Sequence, residues 1–222
     1  MSGSGPAFDP AECMPPMRPM VAGGWDTEAA LGETPKPIDF ERFFGRPGPL
    51  EIEVGFGSGI FLATHAPKHP ERNFLGIENA GAQMGRLKEK LRKRSVLNVR
   101  LVLCDALYVL EEFVPDASVD VYRIYFPDPW PKSRHHKRRV FSPRILPPLE
   151  RTLKPGGRLY IKTDVTAYYE VIDELLRGVD FLRRDRDARL DVAPDPDDIV
   201  TNFQRKAMEK GHPIHALDLT RR

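Results

Sequence analysis

Cysteine is nearly absent from this chain of 222 residues. Cys13 and Cys104 are too few and too far apart for a disulfide framework or a four-ligand zinc site. A reduced, cytoplasmic setting is the simpler expectation. Long apolar runs are missing too. None approaches the ~18–20 residues that cross a bilayer, so no membrane partner is expected. The N-terminus has no basic stretch followed by an apolar one, and no secretory signal is expected. An excess of charge is also lacking: 34 Lys and Arg against 32 Asp and Glu leave +2, which says little by itself. His135 and His136 are adjacent, but no Cys or second His pair stands at ligand spacing. No metal is expected.

What the chain does have is a concentrated charge block. Five Lys and Arg fall between Lys132 and Arg139 with no acid among them. The block follows Phe126-Pro127-Asp128-Pro129-Trp130-Pro131, where proline at every second position fixes φ and removes backbone donors, so that neither helix nor inner strand continues. The result is a stiff loop carrying one carboxylate, one indole and many cations. A carboxylate and an aromatic ring can read a base, and cations can hold a phosphate backbone.

Around this loop the sequence alternates. Residues 1–37, rich in Pro, Gly, Met and Ala, read as a flexible tail ahead of one domain over 38–222. Ile38 to Phe44 has helical spacing. Strands are expected at 50–54, 74–78, 99–104, 119–126 and 158–163, and helices from 60 to near Pro67, over 80–96, 107–113 and 145–153, and from a Thr166 cap through 176. Lys154-Pro155-Gly156-Gly157 reads as a turn. Phe181-Leu182 and Met208 to Leu219 supply the last strands, with an acidic, Pro-rich loop over Asp191 to Asp198. Strands alternating with helices predict an α/β fold, a mostly parallel sheet with helices on both faces. Ligands in such folds lie at the carboxyl ends of the strands, near the topological switch point.

The strand ends carry acids. The first runs into Glu53-x-Gly55-x-Gly57-x-Gly59, where glycines let a ligand approach the backbone. A dinucleotide fingerprint needs Gly-x-Gly-x-x-Gly, but here the third Gly comes one residue early and an acid precedes the first. That suits a cationic, phosphate-free cofactor such as S-adenosylmethionine, with Glu53 facing its ammonium or sulfonium end. Glu78, at the second strand end, can accept from both ribose hydroxyls. Asp105, at the third, can accept from an adenine amino group. Asp128, at the fourth, would border the transferred methyl and its acceptor. Each acid alone is an ordinary loop residue or cap. Together, after the glycine turn, an adenosyl methyl donor explains them best.

These residues resemble the bacterial tRNA (guanine-N7)-methyltransferase family. The motifs are Glu53-Val-Gly-Phe-Gly-Ser-Gly59, Gly76-Ile-Glu78, Asp105-Ala106, Phe126-Pro-Asp-Pro-Trp-Pro-Lys132 with Arg134-His-His-Lys-Arg-Arg139, Thr163-Asp164 and Thr201-Asn-Phe-Gln204. The resemblance implies a Rossmann-like class I S-adenosylmethionine-dependent fold of seven strands and methylation of N7 of a guanine in the tRNA variable loop. It implies contact of Glu53, Gly55, Gly57, Gly59, Glu78, Asp105, Ala106 and Asp128 with S-adenosylmethionine, with Asp128 as the catalytic carboxylate. Lys132, Asp164, Thr201, Asn202, Phe203 and Gln204 would form the guanine pocket. Arg134, His135, His136, Lys137, Arg138 and Arg139 would contact tRNA. The family usually has Glu where this chain has Gln204, which keeps an acceptor oxygen but loses the charge. Monomer and homodimer stay open, and no obligatory protein subunit is expected.

Two rivals stand beside this reading. Adenine amino-group methyltransferases carry an Asp/Asn-Pro-Pro-aromatic loop at the same strand end, but here only Pro129 separates Asp128 from Trp130. A non-catalytic RNA-binding module would not require the strand-end acids.

Overall fold

The computed structural model describes residues 36–189 and 199–222. The expected Asp191–Asp198 loop and nearly all of the expected tail lie outside them. Among the described residues seven strands form one sheet: β1 (Leu50–Val54), β2 (Asn73–Glu78), β3 (Val99–Leu103), β4 (Val119–Tyr125), β5 (Leu153–Thr163), β6 (Leu182–Arg189) and β7 (His215–Arg221). Their spatial order is β3-β2-β1-β4-β5-β7-β6. Pairing is parallel from β3 through β5, and β7 runs antiparallel to both β5 and β6. The order reverses between β1 and β4, which opens a crevice at their carboxyl ends.

The helices are α1 (Phe40–Phe44), α2 (Ile60–His65), α3 (Gly81–Lys93), α4 (Ala106–Glu112), α5 (Leu146–Thr152), α6 (Thr166–Arg177) and α7 (Asn202–Glu209). Strand periodicity divides the core between two faces. Leu50, Ile52 and Val54 of β1 pack with Tyr122 and Ile124 of β4, against α1, α4, α5 and α6. The opposite face holds Phe61 and Leu62 of α2 with Met84, Leu87 and Leu91 of α3. The intervening β1 residues on that face are Glu51 and Glu53, both buried.

Three local expectations are corrected. Met208 does not begin the last strand, because α7 runs through Glu209 and β7 starts at His215. The Thr201 side chain accepts from the Gln204 N–H and starts this helix. Gly211, at φ +67°, ends it, with His212 N–H reaching back to the Ala207 carbonyl. Thr166 is not the cap of α6: Val165 holds that position, and Thr166 Oγ1 instead meets His215 Nε2 at 2.9 Å. Lys154 to Gly157 is not a turn before the strand but an irregularity within β5, with Val119 paired to Leu153 and Val121 to Arg158.

Candidate active site

The crevice at the switch point is lined by Glu53, the Gly55-Phe56-Gly57-Ser58 turn, Ile60, Phe61, Tyr125, Phe126 and the Thr201-Asn202-Phe203 segment. The glycine turn has its shape because its backbone demands it. Gly57 stands at φ +50° with Phe203 close above it, and Gly59 stands at φ +65°, where a Cβ would meet the Leu87 side chain at 2.4 Å. Several groups hold the turn. Glu78 Oε2 accepts the Gly57 N–H at 2.8 Å, and its Oε1 accepts those of Asn79 and Ala80. Lys90 Nζ donates to the Ser58 carbonyl at 3.0 Å, and Asn202 Nδ2 to Ser58 Oγ at 3.2 Å.

Glu53 is the electrostatic centre. It is 5 % exposed, and its Oε2 is buried without a hydrogen-bond partner among the described residues. Burial pushes its carboxyl up to about 8; Arg123 and the Leu62 N–H oppose the rise, and Glu78 adds to it. Its strand neighbour Glu51 is equally buried but differently served. Burial opposes ionisation there too, yet His65, Arg123 and Arg72 together hold Glu51 down at about 2. Arg123 is sandwiched between the Phe61 and Tyr160 rings while bonding Glu51. A buried acid with an unsatisfied oxygen is costly unless a cation completes it. The residues therefore fit the cationic end of S-adenosylmethionine.

The Pro-Asp-Pro-Trp loop leaves β4 through backbone that bulky residues rarely adopt. Phe126 has φ +53° and Trp130 φ +40°, each costing on the order of 1–3 kcal/mol and persisting only where surroundings enforce it. Phe126 stacks on Phe203 of α7, centroids 6.2 Å apart and planes at 17°. Trp130 stacks on His135 and carries Arg138 5.1 Å from its ring centroid. Asp128, between the two strained residues, is exposed. Its charge reaches Tyr168, whose phenol burial and Asp128 push up to about 12, against the Phe141 N–H and Arg139.

The structure thus gathers Glu53, Gly55, Gly57, Thr201, Asn202 and Phe203 around one crevice, with Glu78 behind the turn. Other expected site residues have different surroundings. Asp105 is exposed and caps α4 by accepting the Tyr108 N–H. Asp164 Oδ2 lies 3.9 Å from His212 Nδ1. Gln204 turns inward, its Oε1 accepting from the buried Lys162 at 3.4 Å. Lys132, Arg134, Lys137 and Arg138 are exposed, whereas Arg139 is half-buried. Sequence reasoning missed Arg123, Lys162, Phe126 as a stacking wall, and Tyr168. The signal for Arg123 was available: a cation deep inside a strand needs a buried partner, and the alternating acids of Leu50-Glu51-Ile52-Glu53 are the complementary pattern.

Solved structures with this fold include the 16S rRNA methyltransferase KamB, with TM-score 0.61 and 15 % identity over 82 % of this chain and 92 % of that one. An S-adenosylmethionine-dependent methyltransferase from Aquifex aeolicus matches with TM-score 0.54 and 16 % identity, over 82 % and 88 %. Strand order and switch-point crevice define the Rossmann-like class I fold that S-adenosylmethionine-dependent methyltransferases have. Residues 47–217 match the family model described as "Putative methyltransferase", and two proteins named tRNA (guanine-N(7)-)-methyltransferase align closely: that of Alkalilimnicola ehrlichii, 39 % identical over 82 % of this chain and 76 % of its own length, and that of Nitrosomonas europaea, 38 % identical over 85 % and 83 %. The chain belongs to the tRNA (guanine-N7)-methyltransferase family.

Proposed function

We propose that this protein methylates N7 of a guanine in the variable loop of tRNA, in the cytoplasm, with Asp128 at the junction of methyl donor and acceptor. The observation that carries the reading is the meeting of two features in one crevice. The buried, unpartnered oxygen of Glu53 suits a cationic cofactor. Phe126, where the Pro-Asp-Pro-Trp loop with its cation block begins, forms the adjoining wall.

S-adenosylmethionine supplies an electrophilic methyl group carried on a sulfonium. Glu53 binds its cationic end, and Glu78 keeps the glycine turn in place through the Gly57 N–H. Guanine N7 has an in-plane lone pair and no proton to lose, so no general base is needed. The chain's task is alignment, which can supply roughly 7–11 kcal/mol at best. Asp128 adds a negative charge where the purine becomes positive. Selection of guanine over adenine falls to a carboxylate facing two adjacent donors, N1–H and N2–H₂, and Asp128 or Asp164 can serve. Adenine would leave that acid poorly paired. Phe203, 56 % exposed and backed by Phe126, offers a stacking surface at the crevice. Arg134, Lys137 and Arg138 hold phosphates from the loop's outer side.

The test is to incubate the purified protein with methyl-labelled S-adenosylmethionine and unmodified tRNA, then identify the product nucleoside and its position by mass spectrometry. Label in 7-methylguanosine of the variable loop is expected, with Asp128→Asn lowering turnover about a hundredfold. Label on an adenine amino group, or full turnover by Asp128→Asn, would overturn the reading.

A further inference from the structure

In sequence, Arg139 ends the cation block and looks like its neighbours. In the structure it points the other way. Arg134, Lys137 and Arg138 are exposed, but Arg139 is half-buried and faces back into its own loop. Its Nε donates to the Pro129 carbonyl at 2.7 Å, and a terminal nitrogen donates to the Trp130 carbonyl at 3.4 Å. Its guanidinium lies 5.0 Å from the centroid of the Tyr168 ring. Tyr168 is 1 % exposed on α6, and its hydroxyl accepts the Phe141 N–H at 3.3 Å. One side chain therefore ties the two residues after Asp128 to a fixed point in the core.

We infer that Arg139 is a positioning residue for methyl transfer: it clamps the Pro-Asp-Pro-Trp loop so that Asp128 meets the acceptor base, and it makes no phosphate contact. The inference rests on the functional reading above. The loop needs such a clamp. Asp128 lies between two non-glycine residues held at positive φ, a backbone that relaxes when its constraints are removed. Prolines 127, 129 and 131 have no N–H with which the loop could tie itself down, so its carbonyls are the handles, and a guanidinium fork grips two at once. An ammonium cannot reproduce that planar, two-point grip over an aromatic face. Charge and geometry are therefore separable by a single substitution.

The experiment compares Arg139→Lys and Arg139→Ala with Arg134→Ala/Lys137→Ala. It measures kcat, tRNA affinity across a salt series, and acrylamide quenching of Trp130 fluorescence in a Trp25→Phe background. A clamp predicts that Arg139→Lys loses kcat by tenfold or more, since small misplacements of reacting groups cost up to about a hundredfold. Affinity and its salt slope should stay as in the parent, and Trp130 should become easier to quench. The double variant should show the reverse: weaker binding, a flatter slope and unchanged quenching. Full kcat in Arg139→Lys, or a flattened slope in Arg139→Ala, would make Arg139 another phosphate contact and overturn the inference. If Arg139→Ala fails to fold, the lysine variant alone decides. Should the parent form no 7-methylguanosine, the functional reading fails, while the quenching data still decide whether Arg139 holds the loop.

Discussion

Two glutamates on one strand, Glu51 and Glu53, share a face and a depth of burial yet have opposite chemistry. Glu51 is surrounded by Arg72, Arg123 and His65 and stays ionised. Glu53 has one oxygen without a partner and a carboxyl pushed up to about 8. A cation entering the crevice must bind the ionised form, so cofactor binding should release a proton. The sign follows directly. Below pH 8 the free protein carries Glu53 largely neutral, and affinity for S-adenosylmethionine should rise with pH, approaching tenfold per pH unit, then level off above about 8. Calorimetry at pH 6, 7, 8 and 9 in buffers of different ionisation enthalpy measures both affinity and proton release. Glu53→Gln should bind more weakly and lose this dependence, and whatever dependence remains reports the cofactor's own amine. A flat profile in the parent would show that Glu53 does not meet the cation.

Among the secondary-structure elements, β2 shows how packing shapes the crevice. Gly76 lies where a Cβ would meet Leu62 at 2.6 Å, Leu101 at 2.8 Å and Phe56 at 2.9 Å. Phe56 lines the crevice, so added bulk in the sheet is transmitted to the glycine turn. Gly76→Ala should destabilise the fold by about 1–3 kcal/mol, read as a lower urea midpoint, and should weaken cofactor binding as well. Unchanged stability would mean the three side chains can yield. The strands from β1 to β4 and the main helices were legible because their periods are clear: Met84, Leu87 and Leu91 mark the buried stripe of α3. The C-terminal helix was missed for a physical reason. In Asn202 to Glu209 only Gln204 and Ala207 are buried, so this short helix buries little apolar surface; a capping threonine and a terminating glycine set its ends.

Over the whole molecule, the distribution of unpaired charge distinguishes two candidate RNA surfaces. The cations of α3 and its C-terminal cap are largely engaged: Arg92 and Lys93 share Glu89, Lys90 reaches the Ser58 carbonyl, and the cap residue Arg94 the Ala63 carbonyl. In the loop after β4, Arg134, Lys137 and Arg138 stand exposed, with no carboxylate partner among the described residues. Replacing these three by alanine should reduce the slope of log affinity against log salt by roughly 2–3, at about 0.7–0.9 per phosphate contact. Arg92→Ala/Lys93→Ala should leave it unchanged. Filter binding between 50 and 300 mM salt, a range chosen to span the usual phosphate-contact effect, checks both; the opposite pattern would move the RNA to α3.

The sequence by itself determined the chemistry on offer: acids at successive strand ends, a glycine turn of the wrong spacing for a dinucleotide, and a proline-stiffened loop followed by cations. Those follow from residue type and short-range spacing, which local backbone rules convert into strand, turn and loop. Only the tertiary structure decided what each polar side chain is bonded to. Glu78 holds the turn's backbone, Gln204 faces Lys162, and Arg139 turns away from its basic neighbours toward Tyr168. Each of these partners is distant in the chain, and a side chain's direction is set by whichever distant group folding brings within reach.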